Sequence, residues 1–246
     1  MNFLKKSIAI LSLCLFTNST FANNSVLNVV TEPSFAPFEF MDQSSTELVG
    51  FDIDIIKAIA DVENLKINIA SMPFDGQIPA ILSGNADIAI SGFTITKERA
   101  KLVNFSEPYY DAGLGALISK KYEDTIKTLK DLEGKTLCTQ IGTSGAMFAN
   151  KIKDASSTQF NTAAESFMEL NKGSCIAAVN DKPVLEYYLA TSKNTSLYLL
   201  SDRFTFEQYG IVTSKKNKEL TDKISHGLKI IKENGTYDKI YAKWFK

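Results

Sequence analysis

The chain has 246 residues, 44% of them hydrophobic and 22% charged, with 27 basic and 28 acidic side chains and a net charge of −1. This is ordinary globular composition, with apolar material for one large or two small cores, and it excludes a disordered or repetitive chain. The near-neutral balance also offers nucleic acid no basic face.

At the N-terminus Lys5-Lys6 precede the apolar run Ile8 to Phe16, and Thr20-Phe21-Ala22 supplies the small residues a signal peptidase reads. The run is too short to span a bilayer, so it is expected to be a secretory signal peptide, residues 1–22, cleaved after Ala22. No later stretch is apolar for long enough to cross a membrane, and an exported chain is expected. Cys14 lies within the signal behind Leu13, which is too large for a lipoprotein site. Cleavage removes Lys5 and Lys6, leaving 25 basic and 28 acidic residues. Cys138 and Cys175 then remain, an even pair that suits a disulfide in an oxidising compartment or two buried thiols in a cytosolic one.

Leu27 to Thr31 is β-rich, and Glu32 to Phe40 follows with Pro33 and Pro37. Those prolines predict a fixed loop with no regular element, presenting the acid Glu32 and an exposed aromatic, Phe35. From Val49 the chain enters a helix with Ile53, Ile56, Ile59 and Ala60 at helical spacing, and Asp52 and Asp54 are read there as first-turn cap and dipole partners. Leu65 to Ala70 alternates like a strand, and Met72 to Gly76 is expected as another strand-end loop, presenting Phe74. A helix over Ile78 to Leu82 follows, with Pro79 in its first turn and Gly84 ending it.

The stretch Asp87-Ile88-Ala89-Ile90-Ser91-Gly92-Phe93-Thr94-Ile95-Thr96-Lys97-Glu98-Arg99 reads as a buried strand, a small-residue turn and a helix capped by Thr96. In an open α/β sheet ligands sit beyond the carboxyl ends of strands, which places Ser91 to Thr94 there. Gly92 permits close backbone approach, Thr94 adds an N–H and a hydroxyl, and Arg99 can grip a carboxylate through two parallel hydrogen bonds. Alone, Arg99 would read as an ordinary surface arginine.

Asn104 to Gly113 has no helical period, and Leu114 to Ser119 is β-like. A second alternation follows: a helix near Leu129, a strand Thr136 to Gln140, the loop Ile141-Gly142-Thr143-Ser144-Gly145, and a helix from Ala146. Then come a helix Glu165 to Asn171, a strand Ile176 to Asn180 ending at Asp181, and a helix started by Pro183. Tyr209 to Thr213 is β-like, and helices Lys218 to Glu233 and Tyr237 to Trp244 close the chain. Two alternating units with a short return predict two α/β lobes around parallel sheets, the first built from both ends of the chain.

Facing lobes would bring the strand ends together at a cleft. Glu32, Phe35, Phe74, Ser91, Gly92, Thr94 and Arg99 would come from one side, and the Gly142 to Gly145 loop and Asp181 from the other. One guanidinium, free N–H groups, one acid and two aromatics complement a zwitterion. Arg99 and the loop would take an α-carboxylate, Asp181 an α-ammonium, the aromatics a side-chain stem and Glu32 a polar tip.

Several motifs in order carry a resemblance: Val29-Val30-Thr31-Glu32 with Phe35-Ala36-Pro37-Phe38-Glu39-Phe40; Val49-Gly50-Phe51-Asp52-Ile53-Asp54; Ser91 to Arg99; Asn104-Phe105-Ser106-Glu107-Pro108-Tyr109-Tyr110; and Asn234-Gly235-Thr236-Tyr237 with Trp244-Phe245. Together they make the mature chain resemble the periplasmic polar-amino-acid-binding proteins of ABC importers, of the glutamine, arginine and lysine/arginine/ornithine type. The resemblance implies a two-lobed type II periplasmic-binding-protein fold, with lobe 1 at residues 23–108 and 210–246, lobe 2 at 114–204, and hinge segments at 109–113 and 205–209. It implies a monomeric periplasmic protein that binds a free L-amino acid, meets a membrane permease transiently and carries no cofactor. Arg99 and the Thr94 N–H match the family's carboxylate clamp, Asp181 its ammonium acceptor, Phe35 and Phe74 its aromatic sandwich, and Ser91 and Gly92 its backbone contacts. Gln140, Thr143 and Ser144 complete the implied ligand set.

The chain departs from the pattern in places. Glu32 stands where relatives often carry Asp, while Gln140, Ser144 and Asn180 stand where the glutamine binder has Lys, Gly and His. The surroundings of Cys138 and Cys175 are similar to a cysteine pair in broad-range amino-acid binders, which implies a disulfide between them. Glu32 favours an arginine-like side chain, although an acid also accepts from the amide of glutamine.

The rival class is an exported dehydratase on the same fold. Against it, His226 is the only histidine and lies in a C-terminal helix, where it reads as solvated or packed. There is no metal-ligand cluster and no nucleophile beside a base, and Gly142-Thr143-Ser144-Gly145 lacks the lysine of a phosphate loop. A sensor component is a further alternative.

Overall fold

The computed structural model describes residues 25–42 and 44–245, so the expected signal peptide and its cleavage after Ala22 lie outside the described residues. The first strand, β1 (Leu27–Thr31), leads into three short strands, β2 (Ser34–Phe35), β3 (Glu39–Met41) and β4 (Leu48–Val49). Then come α1 (Phe51–Val62), β5 (Ile67–Ser71), α2 (Phe74–Ser83), β6 (Ile88–Ala89), α3 (Lys97–Leu102) and β7 (Val103–Phe105). β8 (Tyr110–Ala112) leads to β9 (Leu114–Ser119), β10 (Thr136–Gln140), α4 (Ser144–Ala149), β11 (Ser156–Phe160) and α5 (Ala163–Lys172). The chain continues through β12 (Ala177–Asp181), α6 (Lys182–Ser192), β13 (Leu197–Leu199), β14 (Glu207–Tyr209), β15 (Val212–Ser214), α7 (Lys218–Glu233) and α8 (Thr236–Phe245).

Two five-stranded sheets result, ordered β5-β1-β6-β15-β7 and β11-β10-β12-β9-β13. Each has a parallel core, β5-β1-β6 in one and β11-β10-β12 in the other. Both are mixed rather than wholly parallel as expected, because β15 runs antiparallel to β6 and β7, and β9 antiparallel to β12 and β13. Helices cover the faces. Ile55, Ile56 and Ile59 of α1 join Leu220, Ile224, Leu228 and Ile231 of α7 in one cluster, and α2 seals another with Ile81 over Ala89, Phe93 and Val212. Each fully buried branched side chain contributes about 1.5–3 kcal/mol. Between the sheets, β8 and β14 pair antiparallel, Glu207 opposite Ala112 and Tyr209 opposite Tyr110, so the chain crosses on one ribbon in both directions.

Several local expectations are corrected. The stretch from Glu32 to Phe40 is not devoid of regular structure: β2, β3 and β4 form an antiparallel sheet, with Pro33 and Pro37 outside its strands. Helix α2 begins at Phe74 rather than Ile78, so Phe74 belongs to the helix and Pro79 sits in its interior. Burial of Phe74 and Gln77 outweighs the lost helix bond, Gln77 Nε2 donating to Met72 O at 3.2 Å. The helix near Leu129 is a single 3₁₀ turn, Leu129–Leu132, and α4 starts at Ser144 because Thr143 caps it. Tyr209 to Thr213 splits between two sheets at Gly210 and Ile211, where Ile211 N donates to Ser106 Oγ at 3.0 Å and Gly210 N to Phe93 O at 3.0 Å.

Candidate functional site

The site begins where β6 ends. The chain turns through Ser91 and Gly92, and Gly92 has φ +54°, a left-handed conformation that favours glycine. A side chain there would also meet Phe35, whose Cε1 lies 2.8 Å from the position a Cβ would take. Phe35 is therefore buried rather than exposed, lying beneath the turn and against Phe38 at 5.9 Å between ring centroids. Thr96 then caps α3, its hydroxyl accepting from Arg99 N at 3.1 Å, which fixes Arg99 in the first turn.

Arg99 is only 6% exposed. It donates through Nη1 to Thr94 O at 2.8 Å and through Nη2 to Gly142 O at 3.0 Å. Its guanidinium carbon lies 5.3 Å from the centroids of both Phe74 and Phe93, which are stacked on each other. Among the described residues, no ion pair joins Arg99 to an acid. Burial lowers its pKa to about 10, opposed by the nearby charges of Asp181 and Glu207, so it remains cationic at neutral pH.

The opposing wall comes from the second sheet. Gln140 ends β10, and Thr143 caps α4 by accepting from Ala146 N at 3.1 Å while donating to Gln140 O at 2.7 Å. Asp181 ends β12 and is 5% exposed, with Oδ1 lacking any hydrogen-bond partner. Burial pushes its carboxyl up to about 7, Glu207 adds to the rise, and Arg99 opposes it. Tyr209 Oη is near enough to influence the carboxyl, yet neither it nor Asp181 Oδ1 finds a well-aligned partner.

Three contacts close the two walls on each other. Gln140 Nε2 donates to Glu32 Oε2 at 2.8 Å, Arg99 reaches Gly142, and Ser144 Oγ lies 3.2 Å from Thr94 Oγ1. Thr94 Oγ1 donates to Glu207 Oε2 at 2.8 Å, so the proton in the Ser144–Thr94 contact comes from Ser144. Glu32 is 2% exposed and also accepts from Ser34 Oγ; burial raises its pKa, opposed by its bonds to Ser34 and Gln140, and Glu165 adds to the rise.

Phe35, Phe74, Ser91, Gly92, Thr94, Arg99, Gln140, Thr143, Ser144 and Asp181 line one narrow cavity, which the facing walls nearly fill. Glu32, the remaining candidate, stands behind Gln140. Gly92 N–H is not free to meet a ligand, since it donates to Asp52 Oδ2 at 2.9 Å. Asp52 is accordingly more than a first-turn dipole partner, whereas Asp54 faces outward to Lys243 and Trp244. Sequence reasoning missed Glu207, which carries no local signal and reaches the site only because the returning strand β14 lies beside Thr94. Among the described residues, no group of three potential metal ligands occurs. His226 is exposed and pairs with Glu63 at 2.6 Å. Cys138 and Cys175 form a disulfide across 37 residues.

A buried cation without an acid and a buried acid without a donor, in one cavity, suit a molecule carrying both opposite charges. Residues 27–246 match the family described as bacterial extracellular solute-binding proteins, family 3. The arginine-binding periplasmic protein of Mannheimia haemolytica is 36% identical over 222 residues, covering 88% of this chain and 90% of the relative. The glutamine-binding protein GlnH of a Bacillus subtilis ABC transporter is 35% identical over 214 residues, covering 85% of this chain and 77% of the relative. Among solved structures, an ancestral arginine-binding protein bound to arginine superposes with a TM-score of 0.86 at 42% identity, covering 90% of this chain and 98% of that one.

Proposed function

The chain belongs to the bacterial extracellular solute-binding proteins, family 3, and from that premise we infer that it captures a free L-amino acid with a basic side chain, arginine ahead of glutamine. The observation that carries this reading is the unpaired charge of opposite sign in one cavity, Arg99 facing an α-carboxylate and Asp181 Oδ1 an α-ammonium. The α-groups are together neutral, so they leave Glu32 uncompensated. A guanidinium or ammonium tip beside Glu32 and Gln140 removes that imbalance; an amide tip supplies hydrogen bonds only.

Lobe 1 comprises residues 23–108 and 210–246 and lobe 2 residues 114–204, with 109–113 and 205–209 as hinges. Bending there opens the walls to admit the ligand, and closure presents a joined surface to a membrane permease. The protein works in the periplasm as a monomer after cleavage behind Ala22. Relatives named as arginine- and glutamine-binding proteins support a binding protein over the dehydratase reading.

A thermal-shift screen of the ligand-stripped mature protein against the standard amino acids and ornithine tests the reading. A ligand at 100 times its Kd adds about 2.7 kcal/mol, a midpoint rise of roughly 5–10 °C. Arginine, lysine or ornithine is expected to give the largest rise. A rise with glutamine alone overturns the assignment of Glu32, and no rise with any of them overturns the whole reading.

A further inference from the structure

Behind the Ser91–Gly92 turn lie two carboxyl groups that the amino-acid site does not use. Glu39 of β3 and Asp52 of α1 are both 0% exposed. Glu39 Oε1 accepts from Ser91 Oγ at 2.8 Å. Asp52 Oδ2 accepts from Gly92 N at 2.9 Å and from Tyr109 Oη at 2.7 Å. The remaining oxygens, Glu39 Oε2 and Asp52 Oδ1, have no partner among protein donors. The two carboxyls brace adjacent residues of one turn, Ser91 and Gly92, and the Asp52 charge bears on Glu39.

The hydrogen bonds locate a proton. Ser91 Oγ accepts from Glu32 N at 3.0 Å and from Gln77 Nε2 at 3.2 Å, so its single hydrogen goes to Glu39 Oε1. A proton on Glu39 must then sit on Oε2. Asp52 Oδ2 already receives two donors, which marks Asp52 as the ionised partner. One hydrogen from Glu39 Oε2 to Asp52 Oδ1 satisfies both orphaned oxygens and removes one of two buried like charges. The titratable groups acting on the pair are Glu32 on Glu39, and Tyr109, Tyr209 and Tyr237 around Asp52; none is a cation.

We propose that Glu39 and Asp52 share one proton and act as a positioning unit, holding the Ser91–Gly92 turn from behind and tying it to Tyr109 at the entrance to the β8–β14 ribbon. Burial and the Asp52 charge hold Glu39 well above the carboxylate range, while burial brings Asp52 to about 6. The unfolded Glu39 has its ordinary value of 4.5. Unfolding above that pH therefore releases the shared proton, and stability falls as pH rises toward the folded value.

Glu39→Gln keeps an acceptor for Ser91 and a donor for Asp52 but carries no proton to release. Urea unfolding of the ligand-free mature chain between pH 6 and 8 is expected to show wild type losing more stability than Glu39→Gln, by the equivalent of about one proton. Equal pH slopes overturn the shared proton. The positioning role rests on the amino-acid reading and is measured by arginine titration. Glu39→Gln is expected to stay within about threefold of the wild-type Kd, and Glu39→Ala to weaken binding about tenfold or more. A folded Glu39→Ala that binds like wild type overturns the positioning role; should Glu39→Ala not fold, a Glu39→Gln that binds about tenfold more weakly does so. The unfolding slopes need no ligand, so a wild-type chain that binds no amino acid contradicts the functional reading separately.

Discussion

Arg99 owes its place to neighbours on three sides: a cap at Thr96, two carbonyl acceptors, and the stacked rings of Phe74 and Phe93. None of these neutralises it, and in the proposed function a ligand carboxylate would supply the counter-charge it lacks. Removing either charged anchor strands the matching ligand group in a desolvated site. Arg99→Ala and Asp181→Ala are each expected to cost about 2–5 kcal/mol of arginine binding with the fold retained, as read by calorimetry and circular dichroism. Near-normal affinity in either variant would show that the ligand sits elsewhere. The proposed role of Asp181 also predicts a pH dependence. Its carboxyl, raised to about 7, must be ionised to accept an ammonium, so Kd rises as pH falls below about 7. Titrations from pH 5.5 to 8.5 should show a rise approaching about tenfold per pH unit that Asp181→Asn removes; a flat wild-type profile would contradict the role. Much of this chemistry was legible in residue types. Gly92 and Asp181 stand at strand ends and Arg99 in the first turn of the helix that follows one, where a ligand site is expected before any coordinates. Glu207 and the Glu39–Asp52 pair were not, because their meaning arises only when distant segments meet.

At the scale of elements, period and capping were informative, and tertiary contact decided the rest. β10 and α7 match their predicted spans, and Gly84 ends α2 in a left-handed conformation as expected. The early start of α2 depends on the burial of Phe74 and Gln77, and the division of Tyr209 to Thr213 on two different partner strands. No local pattern encodes either. The Cys138–Cys175 bridge ties β10 to the segment just before β12 and closes a loop of 37 residues. Chain-entropy reasoning gives such a crosslink about 4 kcal/mol. Replacing both cysteines with alanine should lower the urea midpoint while leaving the arginine Kd nearly unchanged, since neither cysteine lines the cavity. An unchanged midpoint would show that the bridge contributes nothing.

At the scale of the whole molecule, the two sheets meet through Gln140–Glu32, Arg99–Gly142 and Ser144–Thr94, and the chain passes between them twice along one ribbon. These three contacts hold groups that a ligand would engage, so under the proposed function ligand binding and lobe closure would draw on the same side chains. On that proposal a bound amino acid would replace protein–protein hydrogen bonds with charge-assisted ones and favour the closed state by its differential affinity for it. The central claim is that both α-groups of a basic amino acid are held at once. Calorimetric titration of the ligand-stripped mature protein with L-arginine, agmatine and N-acetyl-L-arginine tests it most directly, because the second compound lacks the carboxylate and the third the ammonium. Arginine should bind, and each analogue should bind about a hundredfold or more weakly. An analogue that binds as tightly as arginine, or an arginine titration without heat or saturation at any temperature, would contradict it.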